Sequence, residues 1–475
     1  MAVWKDKNNM LTYDLEERGK TSLYEYLYQC IRNDILAGRI KAGEKLPSKR
    51  EMAKNHGISV ITVENAYAQL LVEGYIYSRE KKGYFAGEIS NQYVESEMTP
   101  TTKQEEKKKQ WLVNFNSNHI MYDSFPFATW SRVMRQTLLD KENSFLTSPA
   151  PNGVRELRET IANHLQHFRG MEINPDNIIV GAGTEYLYSM IVQLLGHNKM
   201  IAVEDPGYKK IGKVYESNGV KCIHLKIDKE GLNVKDLERC NVSAVHISPS
   251  HHFPPGRVMP SGRRQHLLKW ASENKSYIIE DDYDSEFRFS GRPIPPMAGI
   301  DGRRVIYMNT FSKTLAPSIR IAYMVLPDKL MERFHKKLGF YSSTVSSFEQ
   351  YTLANFISRG YYERHINRMR NYYKDYRNRI IHAIKQSPIY PKVTIEEENA
   401  GLHFILGIKN KIDDEKFVSI LKDNDINISG VSDYCYNNLE EFRHKFIINY
   451  SAVEEEKLTK ALDIMNEALE QSMML

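Results

Sequence analysis

The chain has 475 residues, of which 41% are hydrophobic and 26% are charged. This composition is typical of globular domains and excludes collagen-like, low-complexity and wholly disordered chains. The length allows two to four domains, which excludes a single small binding module. No window approaches the roughly 18 uninterrupted apolar residues of a membrane span, and residues 1–7 lack the apolar core of a signal peptide. We therefore expect a cytoplasmic protein with no membrane partner.

The placement of charged residues and cysteines narrows the class of partner. The chain carries 65 Lys and Arg against 60 Asp and Glu, a net charge of +5, and residues 18–87 alone carry 12 Lys and Arg against 7 Asp and Glu. The positive surplus thus lies in an N-terminal module, as expected of a part that meets phosphate backbones. The four cysteines are far apart with no C-x-x-C spacing, which predicts neither a disulfide framework nor a metal site.

Three helices are predicted in the N-terminal module. Apolar residues at helical spacing predict the first over 24–36. In LPSKREMAKNHG, Ser48 and Glu51 form a capping box that begins the second helix, and Gly57 ends it. The third helix starts at Ser59 and carries one buried stripe. Two short helices joined by a turn at 55–58 have helix-turn-helix spacing.

The outer face of the third helix and a basic hairpin suit DNA. Asn65 lies opposite the buried stripe and Thr62 flanks it, so both can face a major groove. Segments 75–78 and 83–86 then predict a hairpin whose tip bears three cations, Arg79, Lys81 and Lys82. Such a hairpin is typical of a wing that contacts phosphates. The alternative is a small helical dimerisation module with a solvated charged loop.

The segment LPSKREMAKNHGISVITVENAYAQLLVEGYIYSREKKGYF resembles the winged helix-turn-helix of the GntR superfamily of bacterial transcription regulators. The resemblance implies a double-stranded DNA operator as partner. It also implies that Lys49 and Arg50 grip phosphates and that the third helix contributes Ser59, Thr62 and Tyr67. Members of the family commonly have Arg immediately after that Ser, and here the position is Val60. A bidentate guanine contact is therefore absent.

The module is followed by a linker and an α/β domain. Residues 88–110 are dense in mixed charge and poor in aliphatic side chains, which predicts a flexible linker. From residue 111 onward, apolar runs at 177–180, 200–203, 243–247, 277–279 and 305–308 alternate with helical patterns. This alternation predicts a largely parallel sheet. The expected domains are 1–87, 88–110 and 111–475.

Two loops that follow strands could face a ligand. In GAGTEYLYSM a glycine turn precedes a helix, and free N–H groups at Gly183, Thr184 and Glu185 would cradle an anion. A plain tight turn is the alternative. In EDPGYKKI, Tyr208 could stack on a flat ring or could belong to the core.

Two further loops carry reactive side chains. EDDYDSEF places three acids after a strand, which could bind Mg²⁺; equally, Asp281 could pair with a pyridinium nitrogen and Tyr283 with a phenolic oxygen. In NTFSKTLAPSIR, Lys313 could form a Schiff base with an aldehyde cofactor, unless it is simply a solvated lysine. The loop also offers a phosphate two hydroxyls and a guanidinium, those of Thr310, Ser312 and Arg320.

Taken together, these loops resemble the fold-type I, aspartate-aminotransferase-like enzymes that use pyridoxal 5'-phosphate. Further stretches that match are SPSHHFPPGRVMP and GYYERHINRMRNYY. With the N-terminal module, the chain resembles MocR/GabR-type regulators of the GntR superfamily. The resemblance implies pyridoxal phosphate as a Schiff base on Lys313, with Asp281 at the pyridine nitrogen, Tyr283 at the phenolic oxygen, Tyr208 stacked on the ring, and a phosphate held by Gly183, Thr184, Glu185, Thr310, Ser312 and Arg320. It also implies a homodimer, in which the linker length permits domain swapping.

Two departures from the aminotransferase pattern bear on activity. Phe253 stands where those enzymes supply an Asn to the cofactor, leaving that oxygen to Tyr283 or to His251 or His252, and Ile447 stands where an Arg holds the substrate carboxylate. Effector anions could instead meet Lys210 or, after an alignment slip, Arg443.

Without a carboxylate clamp, the domain is predicted to act as a sensor with at most vestigial chemistry. The expected function is a pyridoxal-phosphate-dependent transcriptional regulator that senses an amine, an amino acid or the vitamer itself, in vitamin B6 or amino-acid metabolism. The alternatives are a working aminotransferase with an accessory DNA-binding module, and a DNA-binding dimer whose cofactor site is dead.

Overall fold

The computed structural model describes residues 11–19, 21–88, 109–116, 125–289, 294–398, 401–409, 412–437, 440–451 and 453–473. The chain divides into two compact units, Met1–Lys108 and Lys109–Leu475. Most of the predicted linker, residues 89–108, lies outside the described residues, and the predicted domain limits stay a prediction. Within the described part, none of the helices combines the length and apolarity that a membrane crossing needs.

Three helices and a hairpin form the first unit. They are α1 (Leu23–Leu36), α2 (Lys49–His56), α3 (Val60–Val72), β1 (Ile76–Arg79) and β2 (Gly83–Ala86). The strands pair antiparallel, which confirms the predicted hairpin. The capping box is also confirmed: Ser48 Oγ accepts from the Glu51 N–H at 3.3 Å, and the Glu51 carboxylate accepts from the Ser48 N–H at 2.8 Å.

The inner face of α3 fills the core of the first unit. Val63, Ala66 and Leu70 on α3 are fully buried in one cluster with Leu27 and Ile31 of α1. These five positions recur at helical spacing, so burial of apolar area fixes which way α3 is rotated. The opposite face of α3 is consequently left to solvent, where a partner can reach it.

An eight-stranded sheet forms the centre of the second unit, with the strand order β4-β11-β10-β9-β8-β5-β6-β7. The neighbours from β10 through β6 run parallel, whereas β11 is antiparallel to both its neighbours and β7 to β6. The predicted α/β class is thereby confirmed. The strands are β4 (Ile178–Gly181), β5 (Met200–Asp205), β6 (Lys221–Asp228), β7 (Gly231–Leu232), β8 (Ala244–Ile247), β9 (Tyr277–Asp281), β10 (Val305–Thr310) and β11 (Ala322–Val325).

Helices and a short strand surround this sheet along the chain. The first strand of the unit is β3 (Val113–Asn114), and the helices that follow are α4 (Phe127–Asp140), α5 (Arg155–Arg169), α6 (Thr184–Leu195), α7 (Lys209–Ser217), α8 (Val234–Glu238), α9 (Ser261–Glu273), α10 (Met297–Ile300), α11 (Asp328–Leu338), α12 (Ser347–Ser358) and α13 (Tyr361–Gln386). Two apolar clusters share the sheet strands. One includes α6 and α11, and the other includes α5 and α12. Because both clusters exclude water, the strands between them are buried.

A smaller antiparallel sheet follows, in the order β12-β13-β16-β15. The strands of this sheet and the elements between and after them are β12 (Val393–Glu396), β13 (His403–Ile408), α14 (Asp414–Asp423), β14 (Ile426–Asn427), β15 (Ser429–Gly430), β16 (Lys445–Asn449) and α15 (Glu455–Met473). Residues of α13, α14 and α15 share its core cluster, and β14 pairs in parallel with β3.

The architecture fixes where a ligand can bind. In open parallel sheets, ligands bind outside the carboxyl ends of the strands, because the loops there diverge and leave a crevice. The loops that follow β4, β5, β8, β9 and β10 hold the motifs with candidate ligand-binding side chains, whereas GYYERHINRMRNYY lies at the start of α13. Strands β9 and β10 run further than predicted, to Asp281 and Thr310, so these two polar side chains stand on rigid backbone.

Candidate functional site

One cavity of about 360 Å³ lies at the carboxyl ends of these strands. It brings together side chains that are distant in the chain. Every residue predicted to hold the cofactor lines it, as does one of the two predicted effector residues: Gly183, Thr184, Glu185, Tyr208, Lys210, Asp281, Tyr283, Thr310, Ser312, Lys313 and Arg320.

Lys313 reaches the cavity from the loop after β10. Burial lowers the pKa of its ammonium group, because desolvation disfavours the charged form, and the nearby carboxylate of Asp284 partly opposes this effect. The alternative of an ordinary solvated lysine does not fit this environment. A larger neutral fraction makes the amine a better nucleophile near neutral pH.

Asp281, at the end of β9, has one bonded and one free oxygen. The Tyr188 hydroxyl donates to Oδ2 at 2.6 Å, and His246 Nε2 lies 3.4 Å from the same atom. Burial and the adjacent carboxylate raise the pKa of Tyr188 well above its ordinary value, so this phenol stays protonated and donates. Oδ1 is buried and has no partner within the described residues. An unpaired buried carboxylate oxygen is costly, which favours a ligand that donates a hydrogen bond there.

Aromatic side chains form another part of the lining. Tyr208 is 48% exposed, which excludes the alternative of core packing, and its ring meets Phe253 edge-on with centroids 6.1 Å apart. The Tyr283 hydroxyl donates to the His251 carbonyl at 2.9 Å. His251 Nδ1 in turn lies 2.8 Å from Asp284 Oδ2. Phe253 therefore places an apolar surface in the wall where the aminotransferase pattern has an amide.

His252, predicted as a possible substitute for that missing amide, also lines the cavity. Its Nε2 lies 3.3 Å from Glu204 Oε2, and its Nδ1 is buried without a partner among the described residues. Burial lowers the pKa of His252 to about 3 and raises that of Glu204 to about 8. The imidazole is thus neutral at pH 7 and can offer either a donor or an acceptor to a ligand.

The predicted anion site lies at the start of α6. Gly183 has φ 90°, and a Cβ on it would lie 2.6 Å from the Arg320 guanidinium, so only glycine permits this approach. Ser312 donates its N–H to Thr310 Oγ1 at 3.2 Å. The Gly183 N–H is not free as predicted, because it donates to the Gly181 carbonyl at 2.8 Å. Hydroxyls, the first N–H groups of α6 and a guanidinium together suit a phosphate dianion.

The side chain of Glu185 forms ion pairs that the sequence analysis did not predict. The prediction used only its backbone N–H, but its carboxylate pairs with Arg320 at 2.9 Å and also with the Lys210 ammonium group. Both contacts lower the pKa of Glu185, Lys210 contributing most. A negative side chain therefore already holds the two cations that an incoming phosphate or carboxylate would seek.

Only one of the two predicted effector residues lies at the cavity. Lys210 lines the cavity, but Arg443 does not: it is exposed and pairs with Glu440 at 3.1 Å. The prediction that Arg443 binds effector is therefore wrong, because a surface turn carries it away from the cavity.

Ile447 on β16 is 3% exposed and packs in an apolar cluster that includes Phe442. Among the lining residues that are described, Arg320 supplies the sole guanidinium.

Some lining residues were missed by the sequence reasoning. Tyr188 follows Thr184 by four residues on α6, a spacing that places both on one helix face and could have suggested it. His246 is a polar residue inside the fully buried strand β8, where its Nδ1 lies 2.8 Å from the Tyr215 hydroxyl. A buried strand that contains histidine was the available signal. Nothing in the sequence pattern indicated His403, which comes from the smaller sheet.

Most of the predicted DNA contacts of the first unit are at least partly exposed. Arg50, Ser59, Asn65 and Lys82 are exposed and Thr62 is partly exposed. Lys49 pairs with Glu64 of α3 at 2.7 Å, which ties the start of α2 to α3.

Tyr67 is the exception among these predicted DNA contacts. It is fully buried, and its hydroxyl donates to the Pro47 carbonyl at 2.9 Å. The prediction that Tyr67 contacts DNA is corrected: its ring belongs to the buried stripe, and its hydroxyl supports the segment that leads into α2.

Comparisons with known proteins match both units. Residues 23–85 match the family described as bacterial regulatory proteins, gntR family. An uncharacterized HTH-type transcriptional regulator of Bacillus subtilis (strain 168), YdeL, is 38% identical over 86% of this chain and 89% of its own length. The probable rhizopine catabolism regulatory protein MocR of Rhizobium meliloti is 29% identical over 96% of this chain and 95% of its own.

Solved structures match the fold of the second unit. A multiple substrate aminotransferase from Thermococcus profundus has a TM-score of 0.68 at 22% identity, over 77% of this chain and 93% of its own. A Pyrococcus horikoshii kynurenine aminotransferase has a TM-score of 0.66 at 23% identity, over 78% of this chain and 93% of its own. The aminotransferase fold predicted from the sequence is thereby confirmed.

Proposed function

The chain belongs to the MocR-type transcriptional regulators of the GntR family, in which a winged helix-turn-helix precedes an aminotransferase-like domain, and from this membership we propose that its cavity binds pyridoxal 5'-phosphate and senses a small molecule. The domains that would do so are 1–87 for DNA and 111–475 for the cofactor, joined by 88–110. The proposal concerns what the cavity holds and what its occupation changes.

The unpaired oxygen of Asp281 is the observation that carries the proposal. A protonated pyridine nitrogen would supply the donor that this buried atom lacks. The other residues fit the remaining parts of the cofactor. Lys313 would bind its carbonyl carbon, Tyr208 would cover the ring face, Tyr283 would meet the phenolic oxygen, and the phosphate would be held by Gly183, Thr184, Glu185, Thr310, Ser312 and Arg320.

When bound, the cofactor supplies an aldehyde that condenses reversibly with primary amines. The residues of the cavity would control which amine reaches that aldehyde. Lys313 offers a largely desolvated amine with a lowered pKa, an effect that the Asp284 carboxylate partly opposes. Glu185 keeps Arg320 and Lys210 oriented until an anion replaces its carboxylate.

The lack of a carboxylate clamp supports a sensor rather than an enzyme. Efficient transamination needs the substrate carboxylate held by a forked guanidinium. Ile447 is buried in the core, and Arg320, the one guanidinium among the described lining residues, is engaged at the phosphate end. The proposed effector is therefore an amine, an amino acid held by Lys210 alone, or the vitamer itself. A 28% identical relative from Corynebacterium glutamicum is named a pyridoxine biosynthesis transcriptional regulator, PdxR, which supports the vitamer.

The second candidate is an active aminotransferase with an accessory DNA-binding module. The observation in its favour is that solved structures similar to the second unit include aminotransferases. Repeated turnovers that yield a keto acid from an amino donor would establish it. A third reading, a DNA-binding homodimer with a dead cofactor site, would give a protein that stays colourless with pyridoxal phosphate and is unaffected by Lys313→Ala.

The test is the affinity of the full-length protein for an operator duplex, enriched from a random-sequence library, at fixed salt. Pyridoxal phosphate is expected to change the dissociation constant at least fivefold in the wild type, the lower end of ordinary coupling energies. Lys313→Ala should abolish the change while leaving the cofactor-free affinity intact. If the operator affinity were equal with and without the vitamer but changed on addition of an amine, that amine and not the vitamer would be the effector. No response to either would contradict the sensor.

A further inference from the structure

The outer face of α3 carries exposed apolar side chains that the fold does not use. Ile61 is 68% exposed and Val60 is 43% exposed, in the first turn of the helix. The buried stripe is formed by other positions, including Val63 and Leu70. Exposed Ile61 and Val60 are adjacent in the first turn of the helix, so they offer an apolar surface that a partner could bury with a gain in free energy.

Helical geometry places Ile61 at the centre of the face that points away from the core. Successive residues turn by 100°, so Ile61, Asn65 and Ala68 form one stripe directly opposite the buried one. All three are exposed. The rise of about 1.5 Å per residue separates Ile61 from Asn65 by about 6 Å along the helix, which is nearly two base-pair steps of about 3.4 Å.

Polar and cationic groups border this stripe. Ser59 caps α3 by accepting the Thr62 N–H at 3.1 Å, and its hydroxyl meets Thr62 Oγ1 at 2.8 Å. Arg50 at the start of α2 and Lys82 at the hairpin tip are exposed. Such cations can hold phosphates while the stripe reaches base edges.

We propose that Ile61 is a specificity-determining residue that contacts the methyl group of a thymine, and that Asn65 reads an adenine one or two base pairs away. The inference rests on the proposed function, sequence-specific DNA binding by the first unit. In the major groove the thymine methyl is the apolar group that a side chain can meet, and Asn forms a bidentate pair with adenine N6 and N7. Isoleucine can donate nothing to guanine, so each half-site is built around A·T pairs.

The experiment begins with selection of duplexes from a random library by the full-length protein. Each A·T pair in the selected half-site is then changed so that thymine becomes uracil, which removes one methyl group and no hydrogen-bonding atom. At one position the wild type should bind the uracil duplex about fourfold more weakly than the thymine duplex. This is the change in affinity expected from the loss of one buried methyl group. Ile61→Ala should bind both duplexes equally.

Val72→Ala is the matched control, because Val72 is exposed on the same helix at its other end. It should retain the wild-type sensitivity to uracil. Asn65→Ala should relax the preference for adenine at the neighbouring position. Selection of half-sites with G·C pairs at these positions, or a wild type indifferent to every uracil, would overturn the inference. Failure of the full-length protein to bind or enrich any duplex would instead contradict DNA binding itself.

Discussion

The hydroxyl of Tyr188 donates a 2.6 Å hydrogen bond to Oδ2 of Asp281, while Oδ1 of the same carboxylate is buried with no partner among the described residues. Tyr188 therefore orients the carboxylate and leaves one oxygen for a ligand. Because α6 carries Tyr188 and β9 carries Asp281, the arrangement depends on the packing of helix against sheet and not on a flexible loop.

Asp281→Asn should weaken the binding of pyridoxal phosphate at least tenfold. The asparagine keeps the shape but loses the charge that strengthens a hydrogen bond to a pyridinium, a loss of about 1.5–3 kcal/mol. A titration followed by visible absorption measures it. Tyr188→Phe should cost less, because the carboxylate remains. An Asp281→Asn protein with wild-type affinity would remove the main support for the cofactor.

Glu185→Gln should strengthen cofactor binding about two- to fivefold. The neutral amide releases Lys210 and Arg320, and partly exposed pairs of this kind are worth up to about 1 kcal/mol. The effect should shrink at high salt. Glu216→Gln, an exposed acid on α7, is the control and should leave affinity unchanged. Weaker binding by Glu185→Gln would show that the carboxylate supports the anion site.

The rate at which the protein captures pyridoxal phosphate should rise with pH and level off below the ordinary lysine pKa of 10.5. Burial lowers the pKa of Lys313, so the neutral, nucleophilic amine is reached at lower pH than in a free lysine. Stopped-flow absorption across a pH series measures this. A plateau at or above the value for a model alkylamine would indicate that the amine is solvated.

Ile447→Arg should destabilise the protein without creating an aminotransferase. The guanidinium would be buried among apolar side chains such as Phe442, at a cost of about 3 kcal/mol or more in the free energy of unfolding. Urea denaturation and a keto acid assay measure the two effects. Ile447→Leu, which conserves volume, should cost less than about 1.5 kcal/mol. A stable Ile447→Arg protein that transaminates amino acids would contradict the placement of this position in the apolar core, away from the cavity.

Sequence patterns sufficed for the parts of the site that lie where strands end. Asp281 and Lys313 follow apolar runs, and parallel strands bring such ends to one edge of a sheet. The same reasoning could not show that the Glu185 side chain pairs with Arg320, since side-chain pairs across 135 residues leave no periodic signal.

The errors have equally specific causes. Arg443 was considered for the cavity because it lies near β16 in sequence, but a turn carries it to the surface. For Tyr67, helical periodicity predicts a buried position, whereas the resemblance predicts a contact with DNA. Tyr67 is fully buried, which agrees with the periodicity and not with the resemblance. No role is predicted for Ile61 from the sequence, although its position in the 3.6-residue period places it on the outer face of α3.

The most direct measurement is the visible absorption spectrum of the full-length protein with one equivalent of pyridoxal phosphate, followed through a panel of amino acids and then a keto acid. A sensor that holds its cofactor on Lys313 predicts a visible band that Lys313→Ala lacks, and that shifts with some amines but persists. Stoichiometric conversion to pyridoxamine phosphate, reversed by the keto acid, would contradict it and identify a working aminotransferase that carries a DNA-binding module.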